Sequence, residues 1–177
     1  VYTWAHDWAC VDIAEAWLAL DKLGKARQVI GQIRSDEDGR RLQAQLAVAR
    51  WQATQGDIAG ALATLEAAPV ENAPSLVFSP LVLAEAMGTI AQAMATEGDG
   101  ERALELARSV PVEQGRGLAV SRVAFGLADA GDLDAAADVM RQMLLTGESW
   151  AEDAVRHVAL AMIEAGRYED SGALVQE

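Results

Sequence analysis

Val123-Ala124-Phe125-Gly126-Leu127-Ala128-Asp129-Ala130-Gly131-Asp132-Leu133-Asp134-Ala135-Ala136 is the stretch whose pattern decides the fold. Before Gly131, apolar residues recur at offsets of one, three and four, the spacing of one helical face. Gly131 suits a helix end, because glycine enters the left-handed region without a Cβ penalty. Asp132 is then well placed to cap a second helix that starts at Leu133. The stretch reads as two antiparallel helices joined by a very tight turn.

The same turn recurs at Gln55-Gly56-Asp57-Ile58, Glu97-Gly98-Asp99-Gly100 and Ala165-Gly166-Arg167-Tyr168, and in Leu20-Asp21-Lys22-Leu23 with Asp in place of Gly. The anchors 21, 56, 98, 131 and 166 are spaced by 35, 42, 33 and 35 residues. Twelve residues before each anchor stands Ala9, Ala44, Ala86, Ala119 or Ala154, and seven before stands Ala14, Ala49, Ala91, Ala124 or Ala159. Eight before is always β-branched: Ile13, Val48, Ile90, Val123, Val158. Four before are Trp17, Gln52, Met94, Leu127 and Met162, and five after are Ala26, Ala61, Ala103, Ala136 and Ser171. Small residues at fixed places let helix backbones approach closely, with larger neighbours filling the gaps. The alanine columns and the five β-branched residues are therefore the expected core.

The reading is ten helices, near 4–19, 23–34, 36–54, 58–68, 80–96, 100–109, 114–129, 133–145, 150–164 and 168–175. Further signals mark their starts. Thr3 can cap the first, Ser79-Pro80 puts Ser at a cap and Pro at the first helical position, and Ser149-Trp150-Ala151-Glu152 is a capping box. Ser35-Asp36-Glu37-Asp38 places acids in a first turn, where the helix dipole favours them. Pro111 and the Ala68-Pro69 step end second helices. The one long connection, residues 69–79, accounts for the 42-residue spacing and reads as a surface loop.

The 177 residues suit one domain or one compact repeat array, and 51% apolar composition excludes disorder. A single cysteine, Cys10, excludes an intrachain disulfide and a multi-cysteine zinc site, and is compatible with a reducing cytoplasm. The formal charge of −13 opposes nucleic-acid binding, and no apolar run is long enough for a membrane span. Residues 1–50 are net neutral, with 7 basic and 7 acidic side chains, while residues 51–177 carry 7 basic and 20 acidic, the whole of the −13. The acidic part reads as solvated outer helix faces. The chain opens on Val1-Tyr2-Thr3-Trp4 without Met, which fits a removed leader or a piece of a longer protein.

The second halves of the repeats resemble the tetratricopeptide signature: Gly-Asp, a bulky residue, Ala three further on and an apolar residue four beyond that. Gly56-Asp57-Ile58 with Ala61 and Leu65 matches best, and Gly131-Asp132-Leu133 with Ala136 and Met140 follows. Gly98-Asp99-Gly100 with Ala103 and Ala107 lacks the bulky residues, and the Trp, Leu and Tyr of the family's first helices are mostly replaced. The chain is thus similar to a divergent tetratricopeptide-like array. The resemblance implies an all-α fold, an α-α superhelix (solenoid) of about five antiparallel hairpins. One domain, 1–177, would hold hairpin units near 3–34, 36–68, 80–109, 113–145 and 149–176.

The resemblance further implies a concave face lined by first helices that receives a peptide. Its positions here are Trp8, Glu15, Gln43, Arg50, Glu85, Gln92, Ser121, Phe125, Asp129 and Arg156, with Leu46, Thr96 and Leu160 beside them. The family's two-Lys, one-Arg grip on a peptide C-terminus is absent. The expected function is a non-enzymatic protein-interaction module or scaffold. The alternative is a regulatory or sensing domain of a larger protein.

No phosphate loop, dinucleotide fingerprint or nucleophile motif is present, so no catalytic residue and no cofactor is expected. His6 and Cys10 share a helix face, but Asp7 is expected to point elsewhere, which leaves two ligands where a metal needs three or four. His157 is expected to pair with Asp153 along its own helix. Trp4 and Trp8 are expected in the core of the first unit, with Trp51 and Trp150 packing at unit boundaries. Leu174 and Val175 lie on a last helix with nothing after it, so an oligomer partner or further chain is expected to cover them.

Overall fold

The computed structural model describes residues 3–34, 39–68, 80–147 and 150–176, with the side chains of Thr3, Trp4, Pro80 and Gln114 left aside. Ten helices occupy these residues: α1 (Thr3–Ala19), α2 (Leu23–Ile30), α3 (Arg40–Thr54), α4 (Ile58–Glu66), α5 (Pro80–Thr96), α6 (Gly100–Arg108), α7 (Glu113–Asp129), α8 (Leu133–Thr146), α9 (Ala151–Glu164) and α10 (Tyr168–Gln176). Each lies within a few residues of its expected span. The acidic run 35–38, the connection 69–79 and the capping residue Ser149 fall outside the described residues, as does the side chain of Thr3. No strand occurs among the described residues, and no helix there is long and apolar enough to cross a membrane.

All five anchors are left-handed. The φ angles are 77°, 92°, 84° and 78° at Gly56, Gly98, Gly131 and Gly166, and 55° at Asp21. At every one, the anchor N–H donates to the carbonyl three residues back, and the next N–H donates to the carbonyl five back, over 2.8–3.1 Å. These ten bonds satisfy carbonyls that a helix end would otherwise leave open. Asp57 and Asp132 cap as expected, accepting from the Gly60 and Ala135 N–H groups at 2.9 and 3.2 Å. Asp99 does not: its carboxylate turns to Arg102 at 2.8 Å and makes no cap bond.

The chain forms two compact units, Val1–Ala86 and Met87–Glu177, whose boundary falls within α5. In the first, α1 packs on α2 and α3, and α3 on α4. One cluster joins Val11, Ala14 and Leu18 of α1, Ala26 and Ile30 of α2, and Ala44, Ala47 and Val48 of α3. Gln52 is buried in the column otherwise filled by apolar residues and Trp17. It is satisfied on both sides, donating to Asp57 at 2.9 Å and accepting from the Thr64 hydroxyl at 2.6 Å, so it ties the turn to α4. The stretch after α2 is pinned as well. Asp7, fully buried, accepts the Arg34 N–H at 3.1 Å, and Arg41 donates to the Ile33 carbonyl at 2.6 Å.

In the second unit, α7 packs on α6, α8 and α9, and α9 on α8 and α10. Ser171 explains the paired alanine columns: its hydroxyl donates to the Ala159 carbonyl at 3.1 Å, so the residue five after an anchor faces the one seven before it. Where that residue is alanine, its exposure is zero at Ala26, Ala61, Ala103 and Ala136. Between α5 and α7 the approach is closer still. A Cβ on Gly126 would overlap the Gln92 carbonyl oxygen and lie 2.9 Å from the Ala95 Cβ.

The expected core holds in four rows and only in part in the first, where Ala14 and Ala26 are buried and the other two positions are not. Val48, Ile90, Val123 and Val158 are at most 3% exposed, whereas Ile13 is 47% exposed and Ala9 is also exposed. These positions face a neighbouring hairpin, and among the described residues none lies over that face of α1. Trp8 also departs from the core, at 41% exposed, and Trp150 is 36% exposed. Trp17 and Trp51 are half-buried against the cluster of the first unit. Leu174 is buried at 1%, contrary to expectation, while Val175 is 64% exposed.

The register predicts a sharp contrast in urea denaturation. Ala124→Leu and Gly126→Ala each lose about 1–3 kcal/mol by overpacking. Gly24→Ala, where an added Cβ meets nothing within 4 Å, gains roughly 0.5 kcal/mol from helix propensity. Wild-type stability in Gly126→Ala would contradict the close approach of α5 and α7.

Candidate functional site

The residues expected on the presenting face sit on α1, α3, α5, α7 and α9, the first helices of the hairpins, and most keep part of their surface open. Their neighbours follow a rule. Two helices that pack side by side bring the residue six before one anchor against the residue nine before the next. Gln92 thus meets Arg122 at 3.4 Å, and the Phe125 ring meets the His157 ring at 4.6 Å between centroids, tilted by 45°.

In the first unit, the Arg40 guanidinium stacks on the Trp8 ring at 3.3 Å and donates to the Gln43 side chain at 3.2 Å. A cation held this way is desolvated and fixed in orientation. Further along, Arg50 donates to Glu85 at 2.6 Å, with both side chains part-exposed. Glu15 is exposed on α1. In the second unit, His157 contacts Asp129 at 3.1 Å, rather than Asp153 as expected. Asp153 pairs with Arg156 at 3.0 Å on the open surface. Ser121 is 3% exposed, and its hydroxyl donates to the Leu118 carbonyl at 2.8 Å.

Sequence reasoning missed Arg40, Arg122 and His157. Arg122 and His157 both lie nine before an anchor, three positions from the column six before it, and on a helix a step of three stays on the same face. Their polarity amid apolar columns was the available signal. Arg40 had no such signal, since it lies beyond the repeated columns.

Asp7 is the other correction. It does not point elsewhere: its Oδ1 is 3.0 Å from His6 Nδ1, and Cys10 Sγ lies 3.8 and 3.9 Å from the two ring nitrogens of His6. Near-equal distances to both nitrogens place the sulfur beside the ring rather than in line with one donor. The second Asp7 contact, to the Arg34 backbone, gives the carboxylate a structural role. No group of three His, Cys, Asp or Glu that could hold a metal occurs among the described residues. A cleft of about 500 Å³ in the second unit is lined by Asp99, Glu101, Leu104, Leu127, Asp132 and Val139, among others. Arg102 and Arg141 neutralise Asp99 and Asp138 at its rim.

Hairpins closed by left-handed turns, with alanine where helices meet, define an all-α helical-repeat solenoid of the tetratricopeptide-like type. Solved structures agree. A Podosopora anserina protein assigned as a kinesin light chain, with nearly identical TPR-like repeats, superposes with a TM-score of 0.56 at 15% identity, over 95% of this chain and 90% of that one. A single-substitution variant of that protein matches equally. No protein-family profile and no curated protein matches the chain. The likeness fixes the fold and leaves function to the residues.

Burial pushes the Cys10 thiol above its ordinary pKa, and the negative charge of Asp7 adds to this, against a smaller opposing effect of Arg34. The thiolate is the reactive form. Iodoacetamide at pH 8 therefore leaves the native protein unmodified over a time in which the urea-unfolded chain is fully labelled. Equal labelling rates would contradict the buried placement of Cys10.

Proposed function

We propose that the chain is a non-enzymatic protein-interaction module that holds a segment of a partner protein against its first helices. The observation that carries this reading is the mixed chemistry that the first helices of each unit keep at the surface: in the first, Trp8 stacked on the buried Arg40, Gln43 and the Arg50–Glu85 pair, and in the second, Gln92 beside Arg122 and Phe125 against His157. Aromatic rings and arginines set in fixed orientation are the residue types that dominate protein interfaces. Gln43 and Gln92 offer both donors and an acceptor, which suits the backbone of an extended segment. The reading also takes residues 1–177 as one repeat domain.

The ordinary chemistry of these residues is recognition, since no nucleophile with a base in line occurs among them. The test compares wild type with an Arg50→Glu, Gln92→Ala, Arg156→Glu variant in affinity capture from the native lysate, read by mass spectrometry. All three positions are part-exposed or exposed, so the variant keeps its helicity by circular dichroism. The expected outcome is one or a few proteins held by wild type and depleted at least tenfold on the variant. Equal capture by both would overturn the assignment of these residues.

A further inference from the structure

The packing rule between neighbouring hairpins is visible in the first unit. Leu18, three before its anchor, and Ile30, nine after it, share one buried cluster with Ala44 and Val48, which lie twelve and eight before the next anchor. One hairpin therefore offers a giving face, and the next a receiving face of alanine beside a β-branched residue. Where the second unit repeats the pattern, α7 and α8 pack on α9, and Ala128, Met140, Ala154 and Val158 are at most 6% exposed.

Among the described residues, two such faces are open to solvent. The last hairpin has a giving face with Ile163 43% and Val175 64% exposed, and Tyr168 beside them at 69%. The first hairpin has a receiving face with Ala9 exposed and Ile13 at 47%. The residue types correspond one for one to the buried cluster: Leu18 to Ile163, Ile30 to Val175, Ala44 to Ala9 and Val48 to Ile13. From this correspondence we infer that the chain associates with a second copy of itself head to tail, α9 and α10 of one copy covering α1 of the next. The contact continues the interface that the hairpins already make within the chain. It buries four aliphatic or alanine side chains that otherwise face water. It is heterologous, so it closes into a ring or grows as an open chain according to the rotation per copy.

Charge opposes the contact mildly. Asp12 lies beside Ile13, and Glu164 beside Ile163, so salt is expected to strengthen association.

Sedimentation velocity over a concentration series tests this with one variant of each face, Ile13→Lys and Val175→Lys. Both positions are open to solvent, and retained helicity by circular dichroism qualifies each variant. Wild type is expected to gain mass with concentration, more so at higher salt. Each variant alone is expected to weaken association at least tenfold, to a monomer in the same range. An equimolar mixture is expected to give a one-to-one dimer, because each variant keeps the face the other lacks. A wild type that stays monomeric at millimolar concentration would overturn the inference and leave the faces to another occupant. A variant that still dimerises alone would overturn it too, since the contact would then pair like faces.

Discussion

Everything in this molecule rests on how near two helix backbones can come within a hairpin. The pairs twelve residues apart, Ala14 with Ala26 through Ala159 with Ser171, leave nothing larger than a methyl or hydroxymethyl group at the crossing. That closeness requires a turn with almost no length, which only a left-handed residue supplies. The turn in turn fixes the rotation of the second helix. A larger side chain at the crossing would push the helices apart and break the two bonds that close each turn. Ser171 is tolerated because its hydroxyl finds the Ala159 carbonyl in the same gap.

With that face of each first helix committed to packing, the remaining faces are free to vary. The β-branched and alanine columns serve the neighbouring hairpin. The columns six, nine and thirteen before the anchor are mostly spared this role, Ala47 being a buried exception, and Trp8, Gln43, Arg50, Glu85, Gln92, Arg122, Phe125 and His157 fall in them. The fold thus separates a repeating set of residues that builds the array from a non-repeating set that individualises its surface. This separation is why the likeness to a protein of 15% identity conveys architecture without conveying a ligand.

Most of the fold was legible because its determinants are local and repeated. The anchors, the ten helices and the paired alanine columns need only sequence spacing and the left-handed preference of glycine. Asp21 was legible for the same reason, as a residue that tolerates that region. What escaped depends on neighbours that no spacing reveals. Ile13 follows the column rule and is still exposed, because a column is buried only where a hairpin covers it. Asp99 occupies a cap position and is drawn off by Arg102. Asp7 was expected to point away from His6 and Cys10, and instead its buried carboxylate meets the His6 ring and accepts the Arg34 backbone N–H. In the candidate site, Arg122 and His157 were overlooked although they lie three residues before the column that holds Phe125 and Leu160, on the same helix face. The stacking of Arg40 on Trp8 joins two helices through a residue outside the repeat altogether.

The register between hairpins underlies both the fold and the site, and paired cysteines report on it. In a Cys10→Ser background, Gln92→Cys with Arg122→Cys and, separately, Phe125→Cys with His157→Cys place thiols where side chains now touch. A short bis-maleimide is expected to link both pairs rapidly within one chain, while Gln92→Cys with Val123→Cys, whose second position is buried, links slowly. Equal linking of the shifted pair, or none of the two matched pairs, would contradict the register on which the fold and the site both depend.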